Sequence, residues 1–310
     1  MNKVYEQYVH SLGMTYLLHG KPYDETVSSF PRFDQIWNLS AKQLVTRLAE
    51  GVKLRLNGIS QSMGALITLE EVTSLDVGGF EILIPILNQQ GCDWYKNVPI
   101  SNYDFVAEQK LGLLRDARVI YDFGGHHGVW SAFYSKLPRL IEAVYTFEPS
   151  IINVEIAQLL MLINGITNVV INPTAISVKV SEEKLSSDGL LVDYIDTPLP
   201  LSDLKTAMWQ KADFIKVDIE GFEYELITGA EWIFSACRNM HLELHIPHLK
   251  QRGLDYRSVF NKIPFDKFDV YWLQGSTFTE VGPGSQLEGF CTLLLKGKLG
   301  GGQVSAISNY

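Results

Sequence analysis

The sequence predicts an α/β protein built on a mainly parallel sheet, with a helical segment ahead of it. Three observations carry this. From residue 118 onward, short apolar runs alternate with stretches of helical length. Three of the runs close on an acidic residue, at Asp122, Glu148 and Asp218, as strand ends that face a ligand would. The last two runs are separated by a Gly- and polar-rich loop with no helix, so they should pair antiparallel, because a parallel pair would require a crossover.

In chain order, residues 1–60 read as a helical extension, since Leu44, Leu48, Val52 and Leu56 recur every four residues. Residues 61–117 form a strand-rich lead-in: "GISQSMGAL" is a connector, and "GGFEILIPILNQQGCDWYKN" reads as two short strands around a turn. Residues 118–298 form the main domain. Its strands are "RVIYDF", "AVYTFEP", "NVVINPTAI", "DFIKVD", "NMHLELHI", "FDVYWL" and "GFCTLLLK". Its helices are expected from about Val129 to Lys136, Asn153 to Asn164 and Glu223 to Ser235, and within 251–262. Residues 299–310, "LGGGQVSAISNY", make a flexible tail.

Composition bounds the partners. The chain has 310 residues, 46% of them hydrophobic, and a net charge of -9. An acidic average argues against nucleic acid or an anionic membrane as the main partner. Cys92, Cys237 and Cys291 are widely spaced and cannot all pair, which speaks against a disulfide framework or a structural zinc site and for a cytoplasmic setting. There is no apolar run of membrane-spanning length, and the first residues lack a signal-peptide core.

In a parallel sheet, ligands bind beyond the carboxyl ends of the strands. The first such end is "YDFGGHHG", where Gly124, Gly125 and Gly128 let the backbone turn tightly after Asp122. A dinucleotide fingerprint would place glycine two before Gly125, and Phe123 stands there instead. An acidic residue at this turn would repel a diphosphate and welcome an ammonium group, such as the amino-acid end of S-adenosylmethionine. The second end is Glu148, 26 residues after Asp122, close to the roughly 20-residue spacing of carboxylates that accept hydrogen bonds from ribose hydroxyls. The third is "DFIKVDIEGFEYELITGAEWI", an apolar strand closing on Asp218, followed by Glu220, Gly221 and an amphipathic helix.

This third segment resembles the hallmark of the FkbM family of S-adenosylmethionine-dependent methyltransferases, a strand ending D-x-E-G followed by a helix and G-A, here Asp218, Ile219, Glu220, Gly221, then Gly229 and Ala230. The resemblance runs from about residue 66 to 296 and takes in "DFGGHHG", "TFEP" and "LELH", with Gly125 and His126 where the family usually has Ala-Asn. It implies a class I methyltransferase (Rossmann-like) fold, a seven-stranded sheet with an antiparallel final hairpin. It also implies methyl transfer from S-adenosylmethionine, usually to an oxygen of a sugar or natural product. The cofactor residues are then Asp122, Gly124, Gly125, His126, Gly128, Glu148 and Asp218, and the acceptor is small or carbohydrate-like.

A fourth strand end, "HLELHIPH", puts His241, Glu243 and His245 on one face. Methyl transfer to a hydroxyl needs alignment and something to accept the proton. His245 is the first candidate base, with Asp218 or Glu220 orienting the substrate or sharing the role; the alternative is a structural His245–Glu243 pair. Asp218, Glu220, Glu243 and His245 are also of the kind that holds a divalent metal, and equally of the kind that contacts substrate or starts a helix. His126 and His127 sit in the glycine turn. One is expected to replace the polar contact of the family's Asn, and neither to transfer a proton. Trp94 and Tyr95 are candidates for a lid over the cofactor or for core. Two other functional readings stay open: a cofactor-binding module without turnover, and a nucleotide-dependent oxidoreductase.

Overall fold

The structure is a computed structural model and describes residues 71–77, 80–96, 98, 104–138, 140–177 and 211–298, with isolated positions between 186 and 208. The expected N-terminal helical extension, the connector and the C-terminal tail lie outside the described residues.

The lead-in begins with an antiparallel hairpin, β1 (Glu71–Val77) and β2 (Phe80–Ile86), paired in register Leu75↔Ile82. Ile82, Ile84 and Ile86 alternate along β2 and are fully buried, which is the period-two signature of a strand with one covered face. The second half of the apolar stretch is not a strand. Gln89–Tyr95 forms helix α1, started by Asn88, whose side chain accepts a hydrogen bond from Gly91 N–H at 2.8 Å. An Asn cap outweighs the β-preference of so short an aromatic run. Helix α2 (Phe105–Leu111) follows and ends at Gly112, left-handed at φ 71°.

The main domain runs β3 (Val119–Phe123), α3 (Val129–Ser135), β4 (Ala143–Phe147), α4 (Ile151–Ile163), β5 (Val169–Asn172) and β6 (Ala212–Val217). It continues through α5 (Glu223–Gly229), α6 (Ile233–Ala236), β7 (Cys237–His245), α7 (Ile246–Gln251), α8 (Arg257–Phe260), β8 (Phe268–Gln274), β9 (Thr277–Val281) and β10 (Phe290–Gly297). The sheet order is β9-β8-β10-β7-β6-β3-β4-β5. The pairs from β7 to β5 are parallel, whereas β7–β10, β10–β8 and β8–β9 are antiparallel. These are the seven expected strands with the reversed final pair, in the arrangement of a class I methyltransferase, plus one edge strand. Strand β9 lies in what reads as loop: "TFTEV" alternates β-formers, and Gly275 at φ 61° turns it back onto β8.

Two helical boundaries also differ from the pattern. The stretch after Glu223 breaks at Ala230, whose φ of -138° and ψ of 49° are not helical, giving α5 and α6 instead of one helix. The helix expected within 251–262 is the short α8, Arg257–Phe260, and an unexpected helix, α7, precedes it from Ile246, with Pro247 in its first turn, where the missing N–H has no intrahelical partner to lose. Apolar side chains pack against both faces of the sheet, so β3 is buried at every position. The hairpin is clamped to the main domain by Asn164, whose side chain accepts from Leu83 N–H and donates to Leu83 O, both at 2.8 Å.

Because strands run outward from β3 in both directions, β3 and β6 flank the switch point of the sheet, and their carboxyl ends open the crevice where such folds bind ligands.

Candidate active site

Three loops meet at that crevice. The turn after β3 is drawn tight by Gly124 and Gly125, whose N–H groups both point at Phe147 O, at 2.9 and 3.1 Å. Gly124 has φ 85°, and a β-carbon there would lie 1.7 Å from Asp218 O. A β-carbon on Gly125 would sit 2.0 Å from the Thr146 methyl. The alanine usual in the family at this position has no room beside Thr146.

Glu148, at the tip of β4, ties the turn together. One carboxylate oxygen accepts from His126 N–H at 2.8 Å; the other accepts from Ser150 N–H at 2.8 Å and from Asn153 Nδ2 at 3.2 Å. Burial pushes its pKa up to about 7, against the lowering effect of those same bonds. A carboxylate offers about four acceptor positions, and three are taken by these bonds.

The two histidines of the turn serve the lead-in. His126 adopts φ 47°, a conformation an Asn tolerates more readily. Its Nδ1 lies 2.7 Å from Tyr95 Oη and its Nε2 3.3 Å from Gln90 Oε1. The ring stacks on His127 at 4.0 Å, and His127 Nε2 lies 3.4 Å from Asn88 Nδ2. Both rings thus fasten α1 over the glycine turn, and burial lowers both pKa values, that of His126 to about 4. Of the two aromatics considered for a lid, Tyr95 is buried in this contact and Trp94 is exposed.

Asp122 is placed differently from its expected role. Its carboxylate is fully buried, accepts from Ser131 Oγ at 2.5 Å and lies 3.7 Å from Lys216 Nζ. The ammonium beside it belongs to the protein. Asp122 is therefore a buttress under the turn. Burial raises its pKa, with Lys216 opposing. Lys216, next to last in β6, also donates to Asp218 at 2.9 Å. Burial disfavours its charge, but Asp218 and Asp122 more than compensate and its pKa is raised.

The third loop carries Asp218, Glu220 and Gly221 to His245 at the end of β7. Backbone N–H groups of Ile219 and Gly221 donate to the fully buried Glu223, at 3.2 and 3.1 Å, and His245 Nδ1 bonds the same oxygen at 3.0 Å. The helix-start carboxylate is thus Glu223, not Asp218 or Glu220. His245 Nε2 faces Glu220 at 3.3 Å, Asp218 at 3.7 Å and Glu243 at 3.8 Å. Burial works against a charged ring, but Glu223, Asp218 and Glu220 outweigh it and raise its pKa to about 10. The expected neutral base is an imidazolium at neutral pH, and the proposed structural pairing with Glu243 is one edge of a larger cage. Burial and Asp218 together push Glu243 up to about 7, while Lys216 overcomes burial and lowers Asp218. Ligand atoms of Asp218, Glu220 and His245 fall within 4.8 Å of one another, but the proton on His245 already occupies the position a cation would take. Phe290, 59% exposed, stands edge-on to His245 and His248 at the rim.

Lys216 and Glu223 were not singled out from sequence. Lys216 left a signal, a lone charge inside the apolar run "FIKV". Glu223 is one more acidic residue at a helix start.

A sheet of this order with a glycine turn, a buried tip carboxylate and a polar strand-end cluster defines a methyltransferase-type α/β domain. A sequence model of the methyltransferase FkbM domain matches residues 122–269. No curated protein matches the chain. Similar solved structures include an FkbM methyltransferase from Methylobacillus flagellatus, 18% identical over 58% of this chain and 44% of that one, with a TM-score of 0.40. A putative O-methyltransferase from Klebsiella pneumoniae is 12% identical over 79% and 88%, with a TM-score of 0.39. EvdMO1 is 12% identical over 78% of this chain, which spans about half the length of that protein, 47%, with a TM-score of 0.39.

Proposed function

We propose that this chain transfers a methyl group from S-adenosylmethionine to a hydroxyl of a small or carbohydrate-like acceptor. The observation that carries the reading is the contact between the two halves of the site. Gly124 of the donor turn lies so close to Asp218 O of the acceptor loop that no β-carbon fits between them. In-line displacement needs donor and acceptor side by side, and two loops in backbone contact supply that.

When bound, S-adenosylmethionine supplies a methyl group on a positively charged sulfur. The remaining acceptor position of Glu148 takes a ribose hydroxyl, and the glycine turn lets the nucleoside approach the backbone. His245, held by Glu223, fixes the carboxylates of Asp218 and Glu220 at the crevice. Glu220, 37% exposed, is the group best placed to accept the acceptor's proton as the new C–O bond forms. Phe290 offers an aromatic face to the acceptor at the rim.

The test is transfer of labelled methyl from S-adenosylmethionine to a panel of sugars, glycosides and phenols. Turnover on a hydroxyl compound that Glu220→Gln lowers at least about 100-fold, the scale of general-base loss, supports the reading. Turnover only on nitrogen or carbon acceptors removes the oxygen assignment. Cofactor binding without turnover on any class favours a binding module.

A further inference from the structure

A second polar cluster lies behind the acceptor loop, and the proposed chemistry leaves it unused. His241 is buried on β7, two residues before Glu243, on the same face of the strand. Its Nδ1 lies 2.6 Å from Glu108 Oε1, and Tyr134 Oη donates to that oxygen at 3.0 Å. With Glu108 a fully buried acceptor, Nδ1 carries an N–H and Nε2 points the other way; burial works against a charged ring, but Glu108 and Asp104 raise its pKa, so an ion at Nε2 takes the place of a proton. Nε2 is sealed from solvent and has no hydrogen-bond partner. What it faces is Asp104, just ahead of α2, with Oδ2 at 4.0 Å, and Glu243; ligand atoms of all three fall within 4.8 Å of one another.

We infer that Asp104, His241 and Glu243 form a site for a divalent cation of borderline character, Zn2+ or Mn2+, separate from the acceptor cluster. Four features support it. The donor set is one imidazole nitrogen and two carboxylates, which suits such ions better than Mg2+ or Ca2+. Two of the ligands carry outer support of the kind that metal ligands have: Glu108 fixes the tautomer and aim of His241, and Thr292 Oγ1 on β10 donates to Asp104 Oδ2 at 3.0 Å. Asp104 and Glu243 remain 29% and 24% exposed, which leaves the ion an entry path to an otherwise buried nitrogen. Three carboxylates, Asp104, Glu108 and Glu243, converge on one imidazole, and the neighbouring cation Lys216 is already paired with Asp218 and Asp122. The cluster is short of positive charge, which a dication supplies.

The ion joins the N-terminal end of α2 to β7. Glu243, one of its ligands, stands 3.8 Å from His245 Nε2, so the tether sets the back wall of the acceptor cluster.

The test is calorimetric titration of Zn2+, and of Mn2+ followed by electron paramagnetic resonance, into chelator-stripped full-length chain. Wild type is compared with Asp104→Asn, Glu108→Gln and Glu220→Gln, each checked for an unchanged circular dichroism spectrum. The expected result is one ion per chain, with affinity at least about tenfold lower in Asp104→Asn, about 10- to 100-fold lower in Glu108→Gln, and unchanged in Glu220→Gln. Asp104 is partly exposed, so its variant keeps the test readable should Glu108→Gln fail to fold. Absence of binding in wild type, or binding that Asp104→Asn leaves intact, overturns the inference. Loss in Glu220→Gln with Asp104→Asn unaffected also overturns it and places the ion in the acceptor cluster.

Discussion

Gly125→Ala tests the tightness of the donor turn through a single atom. The added β-carbon would lie 2.0 Å from Thr146 Cγ2, and its next neighbours are Thr146 Cβ at 3.6 Å and Asp122 Oδ2 at 3.8 Å, both ordinary contacts. The whole conflict is therefore with one methyl group. Overpacking of a rigid site costs about 1–3 kcal/mol. Thr146→Ser removes that methyl and keeps the hydroxyl that meets Ser131 Oγ at 2.6 Å, so alone it costs about 0.5–1.5 kcal/mol, the scale of one buried methyl. In the double variant the new methyl occupies the vacated space, and the two losses should not add. Urea unfolding of the four proteins gives the coupling energy, expected to be favourable by about 1–3 kcal/mol. Additive losses, or a Gly125→Ala variant as stable as wild type, would refute the claim that the turn is locked against β4.

Further expectations concern charge. Lys216→Met leaves Asp122 and Asp218 without their cation and should destabilise by about 3–5 kcal/mol, with Asp122→Asn in the same chain recovering part of it in thermal melts. Glu223→Ala strips the acceptor turn of two backbone hydrogen bonds and the His245 anchor; a loss of about 3 kcal/mol or more is expected, together with a fall in the pKa of His245 seen by NMR titration. His126 has a folded pKa lowered to about 4 from the usual 6.5, so its contribution is intact above 6.5 and is lost as pH falls from there to about 4. The stability of His126→Asn relative to wild type should accordingly rise by up to about 3 kcal/mol across that window, measured by denaturant unfolding at each pH. A pH-independent difference would show that the ring titrates alike in the folded and unfolded chain and is not buried against α1.

Much of the fold was legible because it rests on local pattern. Apolar runs that end in Asp122, Glu148 and Asp218 mark strands whose tips face the crevice, and their order yields the parallel sheet. The glycine turn and Glu148 were legible together because a tip carboxylate follows the turn at a nearly fixed spacing. What escaped depends on contacts between distant segments. Asp122 looks like a ligand group until Lys216, 94 positions on, is seen to be its partner. His245 looks like a base until carboxylates from the β6 loop, α5 and β7 close around it. The aromatic run at 92–95 reads as strand because the cap at Asn88 and the docking of Tyr95 on His126 are not periodic features.

The central claim is a nucleoside methyl donor held by Glu148 at the glycine turn. Calorimetric titration with S-adenosylmethionine and its demethylated product, for wild type and Glu148→Gln, tests it most directly, with circular dichroism melts verifying that both proteins are folded. Binding of the pair that Glu148→Gln weakens by about 1–3 kcal/mol, the range for a hydrogen bond to a charged group, is the predicted result. A folded wild type that binds neither compound, or binds both unaffected by the substitution, would contradict the account.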